Sequence, residues 1–217
     1  GIYISGGTAM GVFYNTVYLD ATSAGTNFGS SAIYASVTPT VELRNNIFAN
    51  NSTPNGSGLA VAYRRSSTNA GTYFSGSNTN DFYTGTPSAT NLIFYDGTNS
   101  LQTITDFKNF VIPRDNASFS ENPPFLNVAA MPYDLHLGTV SQTQCESGGS
   151  IVSTESAVSI TNDYDNNARY PNLGYPNNPS YPATAPDVGA DEFAGIPKDV
   201  LGPSISYTNL PNSAITT

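Results

Sequence analysis

Short apolar runs recur along the first hundred positions at a nearly constant interval: Ile2-Tyr3-Ile4, Ala32-Ile33-Tyr34, Leu59 to Tyr63 and Leu92 to Tyr95. A second row runs beside the first. Asn15-Thr16-Val17-Tyr18-Leu19, Asn45-Asn46-Ile47-Phe48-Ala49 and Thr79-Asn80-Asp81-Phe82-Tyr83 share a polar-polar-x-aromatic pattern, and Tyr18, Phe48 and Phe82 keep much the same interval. Between the rows lie clusters of Gly, Ser, Thr, Asn and Pro, such as Ala21 to Ser31 and Asn50 to Gly58, which read as turns. Two or three short strands per repeat, without a helix between them, are the pattern of a solenoid. It predicts an all-β fold, a parallel β-helix of about three to four coils whose exposed ends must be capped.

Two readings stand for the asparagines at the head of the second row. Asn15, Asn45, Asn46 and Asn80 could stack their amides from coil to coil. Alternatively, Asn is there because it tolerates left-handed turn geometry. Both are structural.

The composition fits such a stack. Of 217 residues, 11% are charged, against about 25% in ordinary soluble domains. Outward strand positions filled by Thr, Ser, Tyr and Asn avoid rows of like charge along the coils. Seven Lys and Arg against 16 Asp and Glu exclude the basic footprint that nucleic-acid binding needs. No apolar run approaches the roughly 18 residues of a membrane span. The 14 Tyr and 11 Phe supply core material and argue against disorder. Cys145 is the single cysteine, so neither an internal disulfide nor a cysteine metal cluster can form.

After residue 100 the period changes. Apolar spacing at Ile104, Phe107 and Phe110/Val111 predicts a short helix over about 103–111, ended before Pro113. There follow Asn122 to Leu126, Asp134-Leu135-His136-Leu137, Glu146-Ser147-Gly148-Gly149, Asp163-Tyr164-Asp165-Asn166-Asn167-Ala168-Arg169 and Pro186-Asp187-Val188-Gly189-Ala190-Asp191-Glu192-Phe193. This order over residues 100 to 194 resembles the C-terminal part of secreted bacterial right-handed parallel β-helix proteins of the pectin-lyase-like class, which implies a right-handed solenoid closed by an irregular C-terminal cap. Cys145-Glu146 stands where that class usually has Ile-Asp, and Asn166 stands where it has Gly. Gly202 to Thr208 resembles the first strand of an immunoglobulin-like module, which often follows such β-helices. The predicted organisation is therefore coils over 1–100, terminal coils and cap over 101–194, and a linker with an orphan strand over 195–217.

Candidate chemistry is sparse. Glu42 and Arg44 share one strand face and are placed to pair, while Asp20, Asp81 and Asp96 do not recur at the coil period. No catalytic residue is assigned. His136, the single histidine, reads as structural, and Arg64-Arg65 as a solvated coil edge. Asp163, Asp165 and Asn167 have the 1-3-5 oxygen spacing of a calcium loop, but Ala168 and Gly174 break the EF-hand pattern. Those three residues would hold calcium only in a looser site. The alternative is a salt-bridged cap of Asp163, Asp165 and Arg169 with Asp187 and Glu192, accompanied by Asp191. Tyr170, Tyr175 and Tyr181 would pin their Pro/Asn-rich loop or stack on sugars.

The resulting expectation is a structural or adhesive module of a large extracellular or cell-surface protein. Its partners would be flanking domains of the same polypeptide, or further copies joined through coil ends or the tail strand. The alternative is a carbohydrate-binding or polysaccharide-processing β-helix whose catalytic residues lie outside this segment. Most of the carboxylates fall after residue 120, not along the coils where a catalytic face would lie.

Overall fold

The structure, a computed structural model, describes residues 1–152, 159–169 and 185–200. The proposed tail strand and Tyr170, Tyr175 and Tyr181 lie outside these residues. Strands β1 (Ile2–Ile4), β2 (Ala9–Phe13) and β3 (Thr16–Leu19) make the first coil, and β4 (Ser30–Ala35), β5 (Thr40–Arg44) and β6 (Ile47–Asn50) the second. The third consists of β7 (Ala60–Arg65), a 3₁₀ turn (Ala70–Thr72) and β8 (Asp81–Tyr83). A fourth begins with β9 (Asn91–Tyr95), and β10 (Ser100–Leu101) turns back antiparallel on it. The result is a parallel β-helix of about three turns.

The coil length is nearly constant, which makes the repeat legible. Ile2 pairs with Ile33, Ile33 with Tyr63, and Tyr63 with Phe94, so the step along this row varies by no more than a single position. β2 pairs with β5, and in the third coil that row shrinks to single bridges at Tyr73 and Asn78. In the remaining row Val17, Phe48 and Phe82 are in register. Alignment by aromatic type is thus one position out: Phe48 lies beside Val17, and Tyr18 beside Ala49. A slip of one reverses the face, so Tyr18 points away from the solenoid core and packs edge-on against Phe125 at 5.5 Å.

The solenoid core holds Ile33, Leu43, Phe48, Tyr63, Phe82 and Phe94, all buried. Its C-terminal end is closed by helix α1 (Ile104–Val111), which starts one position later than predicted because Thr103 is the N-cap. Thr103 Oγ1 accepts from the Asp106 N–H at 3.1 Å and donates to the Asp106 carboxylate at 2.7 Å, a reciprocal cap. Phe107 then inserts between Phe82 and Phe94, at ring separations of 5.3 and 5.2 Å. A helix laid over the last coil covers strand edges that would otherwise be free to pair.

Both asparagine readings are realised, by different residues. Tyr14, Asn45 and Thr79 adopt φ of 54°, 56° and 57°, and each precedes a ladder asparagine. Asn15 N–H and its amide donate to Asn46 Oδ1, and those of Asn46 donate to Asn80 Oδ1. Asn45 is the turn residue, not a rung. Arg65 also departs from expectation. It is buried, donating to Thr72 Oγ1 and lying 5.6 Å from the Tyr73 ring, while Arg64 stacks on Tyr95. Glu42 and Arg44 pair at 2.6 Å as their shared face implied.

β11 (Phe125–Asn127) and β12 (Asp134–Leu137) form an antiparallel hairpin, and β13 (Gln142–Thr143) pairs with β14 (Ile196–Pro197). A second apolar cluster, including Ile47, Phe119, Leu137, Cys145, Val188 and Phe193, joins the outer face of β6 to this cap. No described helix is long and apolar enough to cross a membrane.

Candidate functional site

The segment 186–193 lies directly on the coils. Val188 N–H donates to Cys145 O, Gly189 N–H to Asn45 O, and Ala190 N–H to Thr16 Oγ1. Gly189 has φ of 104°, and a Cβ there would stand 2.6 Å from Ile47 Cδ1. Only glycine allows this approach.

Arg169 is the buried centre of the cap. Its guanidinium donates to Glu192 Oε2 at 3.0 Å and to the carbonyls of Gly189 and Ala190, and it lies 4.2 Å from the centre of the Tyr14 ring. The predicted cap members divide. Asp187 accepts from Ser147 N–H and Phe193 N–H, and its own N–H donates to Glu192. Burial, reinforced by the charges of Glu192 and Glu146, pushes Asp187 well above the usual carboxylate range. Burial also pushes Glu192 up to about 7. Glu146, standing where the resembled class has Asp, accepts from Ser147 Oγ and Gly195 N–H.

Asp163 contributes through the backbone. Its Oδ1 accepts from Asp165 N–H and Asn167 N–H, and its Oδ2 from the Asn167 amide and Glu192 N–H. These bonds close the turn 162–168 and leave Asp165 projecting elsewhere. Arg169 pairs with Glu192, not with either aspartate of the turn.

Asp165 meets His136. Its Oδ2 lies 2.6 Å from His136 Nε2, while Asp134 Oδ1 lies 2.5 Å from Nδ1. The hydrogen bonds from Asp134 and then Asp165 hold the imidazole proton, raising its pKa to about 9, and His136 in turn lowers Asp134. Asp191 stands beside them. Its Oδ2 accepts from Leu137 N–H at 3.1 Å, and burial raises its pKa. His136, Asp165 and Asp191 each bring one ligand atom within 4.8 Å of the other two.

This cluster borders a groove of about 390 Å³ lined by Thr16, Tyr133, Asp134, His136, Tyr164 and Asp191, among others. Tyr133 and Tyr164 are 51% and 83% exposed, so both rings are open to a ligand in the groove. The main chain at Tyr164 is held by its N–H donating to Ala190 O at 3.1 Å. The sequence leaves His136 without a visible partner beyond Asp134 in its own strand. Asp165 is 29 positions away, and only the folded cap joins them.

Comparison with models of known families, with curated proteins and with solved structures finds no match to this chain. The fold therefore defines the class, a parallel β-helix with a built cap, and the groove is its candidate site.

Proposed function

We propose that this chain is a structural and adhesive module of an extracellular or cell-surface protein, whose groove grips hydroxyl-rich saccharide. The observation that carries the reading is the pairing of two exposed tyrosine rings, Tyr133 and Tyr164, with Asp134, His136 and Asp191 in one groove. Aromatic faces take the C–H face of a sugar, and carboxylates accept its hydroxyl protons. Three carboxyl groups around one imidazole disfavour uronates, so the ligand is a neutral saccharide. The order of C-terminal motifs, similar to the pectin-lyase-like class, supports a secreted context and carbohydrate contact. The solenoid supplies rigidity.

Self-association belongs to the structural half of the proposal. Among the described strands, β1, β2 and β3 each pair on one side only, and a parallel strand edge takes up a strand from a flanking part of the same polypeptide or from another copy.

Titration calorimetry with neutral and uronic-acid oligosaccharides tests the groove. Neutral oligosaccharides should bind, and Tyr164→Ala should weaken them at least several-fold without changing the circular dichroism. Binding that ignores Tyr164→Ala, or no saccharide binding at all, overturns the groove reading. Release of unsaturated, ultraviolet-absorbing ends from an acidic polysaccharide would make the chain a lyase instead.

A further inference from the structure

Three chain segments converge on one point beside the groove. His136 comes from β12, Asp165 from the turn 162–168, and Asp191 from the segment laid over the coils. We infer that His136 Nε2, Asp165 and Asp191 form a binding site for a divalent transition metal of the Zn²⁺ class, with its remaining coordination positions open to the groove. This inference stands apart from the saccharide reading and needs no saccharide.

The donor spacing comes first. Ligand atoms bonded to one Zn²⁺ at about 2.0–2.2 Å lie about 3–4 Å from each other, and these three sit within 4.8 Å of one another. Nε2 and Asp165 Oδ2, hydrogen-bonded at 2.6 Å, need only part by about 1 Å to admit the ion between them.

The surroundings orient each donor. Asp134 Oδ1 engages Nδ1 of His136 at 2.5 Å. A carboxylate on the far nitrogen orients the ring, and a metal ion would displace the proton that Nε2 shares with Asp165, leaving that nitrogen as the ligand. Asp191 has Oδ2 anchored by Leu137 N–H, which leaves its other oxygen for a metal. Asp165 is held through its N–H on Asp163 Oδ1, so Asp163 serves as a brace for the turn.

The donor chemistry selects the metal. One imidazole and two carboxylates suit Zn²⁺, Co²⁺ or Ni²⁺, whereas Ca²⁺ and Mg²⁺ prefer oxygen alone. The groove leaves room for water at the positions that three protein ligands do not fill.

The test is calorimetric titration of Zn²⁺ into the full chain after chelator treatment, with Co²⁺ absorption as a second readout. One equivalent should bind, the melting temperature should rise with Zn²⁺, and millimolar Ca²⁺ should not displace it. His136→Ala should abolish binding. Asp165→Asn, at an exposed side chain, should weaken it at least ten-fold. Asp134→Asn, which keeps all three ligands, should weaken it about 10- to 100-fold. The inference is overturned by absent binding, by displacement with Ca²⁺, or by affinity unchanged in Asp165→Asn. Because that variant alters a surface group, the result stands even where His136→Ala does not fold.

Discussion

The Asn46 amide donates to Oδ1 of Asn80 at 2.8 Å, one coil further along the solenoid. The same amide donates to Val12 O, and Asn46 Oδ1 receives both Asn15 N–H and its side chain. At the far end Asn80 donates to Asp115 Oδ1, where the amide ladder ends on a carboxylate. Asn46→Ala would leave the Asn15 N–H without its acceptor and remove the bonds that the Asn46 amide makes to Val12 O and Asn80 Oδ1. Buried groups left without partners cost about 1–3 kcal/mol each, so a loss of about 3 kcal/mol is expected by urea denaturation. Asn15→Ala, in the first coil, where the side chain bonds to Asn46 and within its own turn, should cost about half as much or less. Equal losses from the two variants would refute a ladder that strengthens inward.

The first row of strands is legible in the sequence because it repeats with one face always inward. Ile33, Tyr63 and Phe94 differ in type but share position, and a constant step from coil to coil survives that variation. Aromatic identity is a poorer guide in the second row, where it misplaces Tyr18 by one position; facing direction, not ring type, sets the register. Arg65 reads as solvated because nothing local announces that Thr72 and Tyr73 will close over it. The site is less legible still. His136, Asp165 and Asp191 belong to no repeat, and their meeting depends on the cap folding back onto the first two coils through Thr16 and Asn45. Asp163 and Asp165 have the spacing of ligands, yet one closes a turn and the other reaches a histidine.

Arg169 is the test of the cap. Removing one partner of a buried, hydrogen-bonded ion pair costs about 3–5 kcal/mol, because the other charge stays buried. Arg169→Ala should therefore lower the melting temperature by roughly 10 °C, at about 2–4 °C per kcal/mol for a chain of this size. Glu192→Gln should cost less, since an amide oxygen can still accept from the guanidinium. A melting temperature unchanged in Arg169→Ala would mean that the cap is peripheral to stability.

Gly189 measures how tightly the cap is seated. Its φ of 104° disfavours any other residue, and a Cβ would also meet Thr16 Oγ1 at 2.9 Å. The positive φ is set by the backbone and the Ile47 and Thr16 side chains crowd the site, so Gly189→Ala should separate the segment 186–193 from β3 and β6. Hydrogen exchange should then rise at Val188, Gly189 and Ala190, with the amides of β7 and β9 unaffected. Protection that stays intact across the segment would contradict the close approach.

Acidification should stabilise this protein. Burial raises the pKa of Asp81, Asp115, Glu146, Asp187, Asp191 and Glu192, with Asp115 reaching about 6 and Glu192 about 7. A carboxyl with a raised folded pKa binds its proton more tightly when folded. Its contribution is therefore complete below the unfolded value, near 4, and is lost as the pH climbs through the folded value. Asp115 illustrates the balance: Tyr73, Ser118 and Asn80 donate to it and Lys108 attracts it, yet burial outweighs all four. His136 acts in the same direction, its contribution being lost only as the pH rises through about 9. Asp134, lowered by His136, opposes the trend only at pH values below the usual carboxylate range. Each fully buried group of this kind changes stability by up to about 1.4 kcal/mol per pH unit between its two pKa values. Thermal unfolding should give a higher midpoint at pH 5 than at pH 8, and Asp115→Asn should flatten the slope between pH 4 and 6. A midpoint that instead rises from pH 5 to pH 8 would mean that these carboxyl groups are ionised and fully compensated in the folded chain.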